Sequence, residues 1–318
     1  MNDRTIPIFT GTAGLNTVLD PQRLLQASQR ATTNRRDTEA VIELAVAVNV
    51  SIDDRGLVTL RKGDTLAQAG SFHSLFCDGG DCFVIQERTE DAALMQVGTD
   101  FSLSGVRSGL TKNHRMSFTD SGNTTYYSNG LQNGVITAGA SYDWPVDVYN
   151  GPETNLQLSA APVGNHIAFK PGGLMLIAVG PVLWINHFPY IFGLYSLARG
   201  FVNFASDIRM ICPVAGGVFV SDSTSTWFLR GTSWFDFVQV QVATYPALEW
   251  SLAYDKVKLQ DMGFDVPGFG RIWASTEGVC VGTDDGTLIN LTDGQIKYPS
   301  GYSSAACLVT DSHILHTV

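Results

Sequence analysis

Met210-Ile211-Cys212-Pro213-Val214, Ala215-Gly216-Gly217 and Val218-Phe219-Val220 make one unit of sequence: an apolar run, a turn of small residues and a second apolar run. Runs rich in β-branched and apolar residues on either side of a glycine turn describe two antiparallel strands joined tightly. The unit recurs on both sides. Upstream, Ile167-Ala168-Phe169 and Leu174 to Ala178 flank Pro171-Gly172-Gly173, Arg115 to Phe118 and Thr125 to Tyr127 flank Asp120-Ser121-Gly122-Asn123, and Ser74 to Cys77 and Cys82 to Ile85 flank Asp78-Gly79-Gly80-Asp81. Downstream, Ile272 to Ala274 and Val279 to Gly282 flank Thr276-Glu277-Gly278. Counted at Gly80, Gly122, Gly173, Gly217 and Gly278, the steps are about 42, 51, 44 and 61 residues, the span of a four-stranded propeller blade with variable loops.

A blade needs return strands, and three units supply one: Val182 to Ile185, Thr226 to Leu229 and Thr287 to Asn290. The expectation is an all-β chain, a β-propeller of five to seven blades over residues 41–318, with Gly80, Gly173, Gly217 and Gly278 in equivalent turns. The alternative is a β-sandwich or two unrelated β-domains. Val48 to Ile52 and Leu57 to Leu60 flank a further turn at Asp53-Asp54-Arg55-Gly56, and the C-terminal run Ala305 to Val309 with His313 to Leu315 would close the ring, paired with residues 46–52. Before the repeats, Asp20 as N-cap, Pro21 at the first helical position and Arg23 to Ala27 predict a short helix within an N-terminal arm, residues 1–40.

Charged residues are 16% of the 318, Gly numbers 32, and the formal net charge is -10. This excludes a coiled coil or a charge-rich disordered chain, and long-range attraction of the whole molecule to nucleic acid. The most apolar stretch, Gly172 to Phe188, is broken by Gly180, Pro181, Asn186 and His187, so no membrane anchor is expected, and the first twenty residues lack the pattern of a secretory signal. Up to Arg36 five arginines face only Asp3 and Asp20, an excess of about three positive charges. The five cysteines, Cys77, Cys82, Cys212, Cys280 and Cys307, read as reduced buried thiols, with Cys77 and Cys82 facing each other across a hairpin.

No catalytic, cofactor-binding or metal-ligating set emerges. The six histidines are scattered, Asp284-Asp285-Gly286 lacks the alternating ligands of a calcium loop, and neither a G-x-S-x-G elbow nor a phosphate-binding loop is present. Asp222-Ser223-Thr224-Ser225-Thr226-Trp227 partly matches the S-x-D-x-G-x-T-W box on the blade turns of sialidase-like propellers, with Val220 in place of the first Ser and Thr224 in place of the Gly. That box is a fold-stabilising turn, and no pair of carboxylates is singled out for glycoside hydrolysis. The chain is therefore expected not to be an enzyme.

Gly14-Leu15-Asn16 with Pro21 to Leu24, Ala47 to Gly56, Arg61-Lys62-Gly63, His73-Ser74-Leu75-Phe76, Gly109-Leu110, Tyr126-Tyr127-Ser128-Asn129-Gly130 and Val279 to Gly282 occur in an order that resembles tailed-bacteriophage virion proteins forming β-propellers in the tail or neck, related in design to tail nozzle or hub proteins. Such proteins often carry a β-sandwich insertion after the early blades, and here Trp144 to Pro152 leads within a few residues into Ala161, leaving no room for one. The resemblance implies a virion component assembled in the bacterial host cytoplasm. Its partners would be copies of itself in a ring and other tail or neck proteins, with DNA passing nearby and no sequence-specific binding. The alternative is a receptor- or glycan-binding tail protein, including a sialidase-like glycosidase.

Two interfaces are expected on this reading. Phe188, Pro189, Tyr190, Ile191 and Phe192 form an apolar, aromatic run that reads as an exposed loop, with Phe188, Tyr190 and Phe192 making a lateral or axial contact. Arg23, Arg35 and Arg36 of the arm would meet a neighbour whose body carries about -13. Trp184, Trp227, Trp234 and Trp273 are expected to pack blades and not to serve as sugar platforms.

Overall fold

The computed structural model describes residues 14–15, 43–44, 50–52, 58–60 and 66–317, apart from 79, 152–156, 234, 254–255, 261–267, 299–303 and 311–312. The arm with Arg23, Arg35 and Arg36, and Trp234, lie outside the described residues. Among the described residues the chain is all-β, with no α-helix. It divides into a small unit, residues 1–66 with 277–279 and 290–299, and a large unit comprising the rest. In the small unit β1 (Gly14–Leu15) pairs in parallel with β2 (Glu43–Leu44), and β3 (Val50–Ile52) pairs antiparallel with β4 (Val58–Leu60).

The remaining strands form successive antiparallel sheets, the blades of a β-propeller. Blade I is β5 (Ser71–Asp78), β6 (Asp81–Glu87), β7 (Ala92–Val97) and β8 (Leu103–Leu110), in that spatial order. Blade II follows the same order with β9 (Ser117–Ser121), β10 (Thr124–Ser128), β11 (Asn133–Thr137) and β12 (Ala140–Tyr142). Blade III has β13 (Leu158–Ser159) outermost, then β17 (Ile191–Ser196), β16 (Val182–Phe188), β15 (Leu174–Val179) and β14 (His166–Lys170) innermost, with β18 (Phe201–Asn203) also on β16. Blade IV is β19 (Met210–Val214), β20 (Gly217–Ser221), β21 (Thr226–Arg230) and β22 (Val238–Ala243). Blade V is β23 (Val257–Lys258), β24 (Phe269–Ser275), β25 (Gly278–Thr283) and β26 (Leu288–Asn290).

Gly80, Gly122, Gly173, Gly217 and Gly278 all fall at the turn joining the two strands of the predicted unit, β5–β6, β9–β10, β14–β15, β19–β20 and β24–β25. Gly173 needs its lack of a side chain, since its φ is 87° and a Cβ would meet Tyr190 at 2.7 Å. The C-terminal β27 (Ala306–Thr310) and β28 (His313–Thr317) pair with each other, not with β3, contrary to the expected closure.

Apolar runs such as Leu174 to Ala178 do not alternate because both faces of a blade are buried. Met175 and Ile177 enter the core between blades II and III, while Leu174, Leu176 and Ala178 enter the core between III and IV. Tyr126 and Tyr127 divide in the same way between the II/III and I/II cores. Between blades IV and V, Phe219 packs on Phe228 and Trp273 with rings tilted at 47° and 49°, and Gly282 permits this closeness because a Cβ there would lie 2.6 Å from both Phe219 and Trp273. Trp227 and Trp184 are half-buried against the III/IV and II/III cores, so the three described tryptophans of the expected set are packing residues.

β9 and β14 have no laddered neighbour towards the axis, and hydroxyl groups of the preceding blade satisfy backbone N–H groups on or just before them. Ser74 Oγ accepts the Met116 N–H at 2.9 Å, Ser117 Oγ the Ile167 N–H at 3.0 Å, and Thr119 Oγ1 the Phe169 N–H at 2.9 Å. Pro213 sits on β19, a strand of this kind, where a missing N–H costs no bond to a neighbouring strand on that side. The turn between β20 and β21 is the predicted box: Asp222 Oδ1 accepts from Thr224 N, Thr224 Oγ1 and Ser225 N, each at 2.8 Å, and Oδ2 from Trp227 Nε1 at 3.1 Å.

Two stability predictions follow from these joints. Ser117→Ala leaves the buried Ile167 N–H without a partner and should lower the free energy of unfolding by about 1–3 kcal/mol in urea melts, while an unchanged midpoint would contradict the joint. For Asp222, burial pushes the carboxyl up, but the bonds from Thr224, Ser225 and Trp227 outweigh it and hold the group below the ordinary aspartate value. A depressed carboxyl stabilises above its unfolded value, and that contribution is lost as pH falls through the folded one. Asp222→Ala should therefore cost about 2 kcal/mol or more at pH 7 and show a flatter loss of stability below about pH 4.

Candidate functional site

Residues of β5, β9, β14, β19 and β24, or immediately before them, line one cavity of about 350 Å³. It is the axial channel of the propeller, walled by one strand from each blade. Met210, Ile211, Phe169 and Leu252 give it apolar surface, and three arginines border it: Arg115 ahead of β9, Arg209 ahead of β19 and Arg271 on β24. Arg115 is exposed, and Arg209 and Arg271 are half-buried. The Arg271 Nε is buried with no hydrogen-bond partner.

One mouth is built from loop 247–253, which is bonded along β24. Leu248 N donates to Ala274 O at 2.8 Å, Ala253 N to Ile272 O at 2.9 Å, and Ser251 Oγ lies within hydrogen-bond distance of both Ala274 O and Ala274 N. The loop places Glu249 Oε1 3.0 Å from His166 Nε2 and packs the Trp250 ring, tilted by 42°, against the His166 ring at 4.4 Å between centroids. Trp250 has φ of 65°, a left-handed conformation that costs a non-glycine residue about 1–3 kcal/mol. Beside this mouth a shallower pocket is bordered by Asn113, His114, Asn165 and Ser304, and it shares Arg115 and Trp250 with the channel. Among the described residues no group of three His, Cys, Asp or Glu side chains gathers as a metal site.

None of these channel residues was singled out from the sequence. Apart from loop 247–253, their common feature is a position on or just before an inner strand, β5, β9, β14, β19 or β24, and it becomes visible once strand order is known. Carboxylates too could not be ranked beforehand, and one now stands apart. Asp120 on β9 accepts from Thr125 Oγ1 at 2.7 Å, and burial pushes its carboxyl up, aided by Asp78 and Asp81, to about 7.

The expected loop 188–192 is a hairpin. Phe188 closes β16, pairs with Ile191 of β17, and Pro189-Tyr190 turn the chain, with Tyr190 at φ 63°. Tyr190 is 66% exposed, but Phe192 is 7% exposed and packs on Tyr126 and Phe169, so it is a core residue and not a surface contact. The strand continues past the turn, and alternation sends Phe192 inward. Phe188 is half-buried and stacks on Tyr149 at 5.0 Å. The cysteine reading also changes. The two-residue connection makes Cys77 and Cys82 direct cross-strand partners with Cα atoms 4.1 Å apart, and they form a disulfide, while Cys212 and Cys280 are free and buried. Burial pushes the Cys212 thiol up to about 12.

No protein-family model and no curated protein matches the sequence. Solved structures do. A protein from Lactobacillus plantarum is similar with TM-score 0.48 and 13% identity over 78% of this chain and 77% of that one. A gluconolactonase from Xanthomonas campestris has TM-score 0.42 and 11% identity over 74% and 78%, and a protein named as a 6-phosphogluconolactonase from Bacteroides fragilis has 0.39 and 12% over 70% and 82%. The expectation that the chain is not an enzyme is corrected by the two lactonases in this set. At such identities the likeness concerns strand architecture, and no residue role is carried over.

The Asp120 carboxyl generates a prediction with a defined sign. An unfolded aspartate ionises near 3.8, so from there to about 7 the folded chain holds the extra proton and stability falls as pH rises. Asp120→Asn should remove that fall and raise the melting temperature at pH 8 relative to the parent chain. Melting curves from about pH 4 to 8 check it, and parallel profiles for the two proteins would refute it.

Proposed function

We propose that the chain is a structural component of a bacteriophage virion, a tail nozzle, hub or neck ring protein that works by protein–protein assembly. The observation that carries this reading is the outer edge of blade IV. Among the described residues β22 is an edge strand with no outer neighbour, its Val238 and Val240 are 60% and 41% exposed, and Phe235 just before it is 73% exposed. An uncharged apolar edge is a template for another chain, and monomeric proteins blunt such edges with charge or cover.

The motifs of the resemblance support it from inside the fold. Ser74 and Ser128 act at blade joints, where Ser74 caps the Met116 N–H and Ser128 Oγ donates to Gly164 O at 2.6 Å, while His73 lies 2.9 Å from Glu87 within blade I. The exposed Tyr190 tip adds a second apolar contact point. In this reading the partners are further copies in a ring and adjoining tail or neck proteins, joined in the host cytoplasm, with DNA passing nearby and unread.

The test is incorporation. In particles made by the genome that encodes the chain, the protein should be present at a fixed multiple per particle. A Val238→Asp, Val240→Asp double variant should keep its melting temperature and be lost from the particles. Absence of the parent chain from purified particles, or normal incorporation of the variant, would overturn the proposal.

A further inference from the structure

We infer that the axial cavity is a binding site for a small organic oxyanion, a phosphate or carboxylate carried on a body of about sugar size. The inference is independent of the virion reading.

Arg115, Arg209 and Arg271 come from blades II, IV and V and border the same cavity of about 350 Å³. Like charges brought to one site repel, and a wall containing Met210, Ile211 and Leu252 lowers the local dielectric and strengthens that repulsion. Among the described residues none of the three guanidinium groups has an ion pair, and the cavity lining contains no Asp or Glu. The mouth carboxylate Glu249 is bonded to His166. Arg271 buries its Nε without an acceptor, a cost that an anion in the cavity would remove.

The chemistry of the occupant follows from the donors. Guanidinium forks match the paired oxygens of phosphate and carboxylate, and bonds to a charged acceptor are the strong kind. The volume is at the small end of ligand pockets, which suits a body of about sugar size. Trp250, held in its left-handed conformation at the mouth, offers a flat face for that body. The chain as a whole is at -10, so a positive cavity is a local departure and focuses anions towards itself.

The test titrates the full chain with inorganic phosphate, citrate and glucose 6-phosphate, with glucose as the uncharged control, by calorimetry and thermal shift. At least one anion should bind with Kd below about 1 mM and raise the melting temperature, and glucose should not. Phosphate with glucose 6-phosphate, against citrate, distinguishes the phosphate from the carboxylate class. Arg271→Gln and Arg209→Gln should each weaken binding about tenfold, and Arg230→Gln, outside the cavity, should leave it unchanged. Arg115 is exposed, so Arg115→Gln provides the same reading should either of the others fail to fold. Equal binding of glucose, no anion binding, or an affinity untouched by Arg115→Gln overturns the inference.

Discussion

Hydroxyl groups of blades I and II close the open backbone edges of blades II and III, and the packing of the first three blades depends on that constraint. A four-stranded sheet on edge has one strand at the axis with backbone groups that no ladder satisfies. Ser74, Ser117 and Thr119 answer that need for Met116, Ile167 and Phe169. Each bond spans two blades, so it fixes their spacing as well as satisfying a donor. The cores between blades then fill at that spacing, with Phe76 stacked on Phe118 at 5.3 Å between I and II and Phe219 against Trp273 at 5.4 Å between IV and V.

The same geometry creates the cavity. Strands of neighbouring blades that do not ladder with one another leave a channel between them, and residues on or beside β5, β9, β14, β19 and β24 line it together with loop 247–253. Arg115, Arg209 and Arg271 are far apart in sequence, and each follows or lies within a different connection. Radial repetition makes them neighbours. Loop 247–253 narrows one mouth, and its bonding along β24 is what holds Glu249 and Trp250 against His166. Outer strands carry the complementary property: β22 is exposed along most of its length, so the axis gathers charge while an edge far from it presents valines.

Several expectations failed for a shared reason. The run Phe188 to Phe192 lacks polar alternation, which suggested a loop at the surface, but a strand buried on both faces does not alternate either. Phe192 is core and Tyr190 is the tip of a turn. Cys77 and Cys82 were read as reduced core thiols facing each other across a hairpin, and the two-residue connection sets them directly opposite each other as a disulfide. The closing pair of strands was placed by its apolar character alone, which carries no information on which edge it joins.

Local chemistry alone determined the element type and the repeat. Glycine-centred turns between β-branched runs, at Gly80, Gly122, Gly173, Gly217 and Gly278, specify hairpins because only such residues reverse the chain so tightly, and the Asp222 turn was legible because its bonds lie within six residues. Trp184, Trp227 and Trp273 were likewise assigned to packing, since rings of that size are stable mainly when covered. Tertiary structure decided the site. Three arginines, a histidine and a tryptophan are unremarkable one at a time, and their electrostatic meaning arises only when blades place them around a shared axis. Interactions that fall off with distance in space have no counterpart in sequence separation, so the turns could be read from the chain and the channel could not.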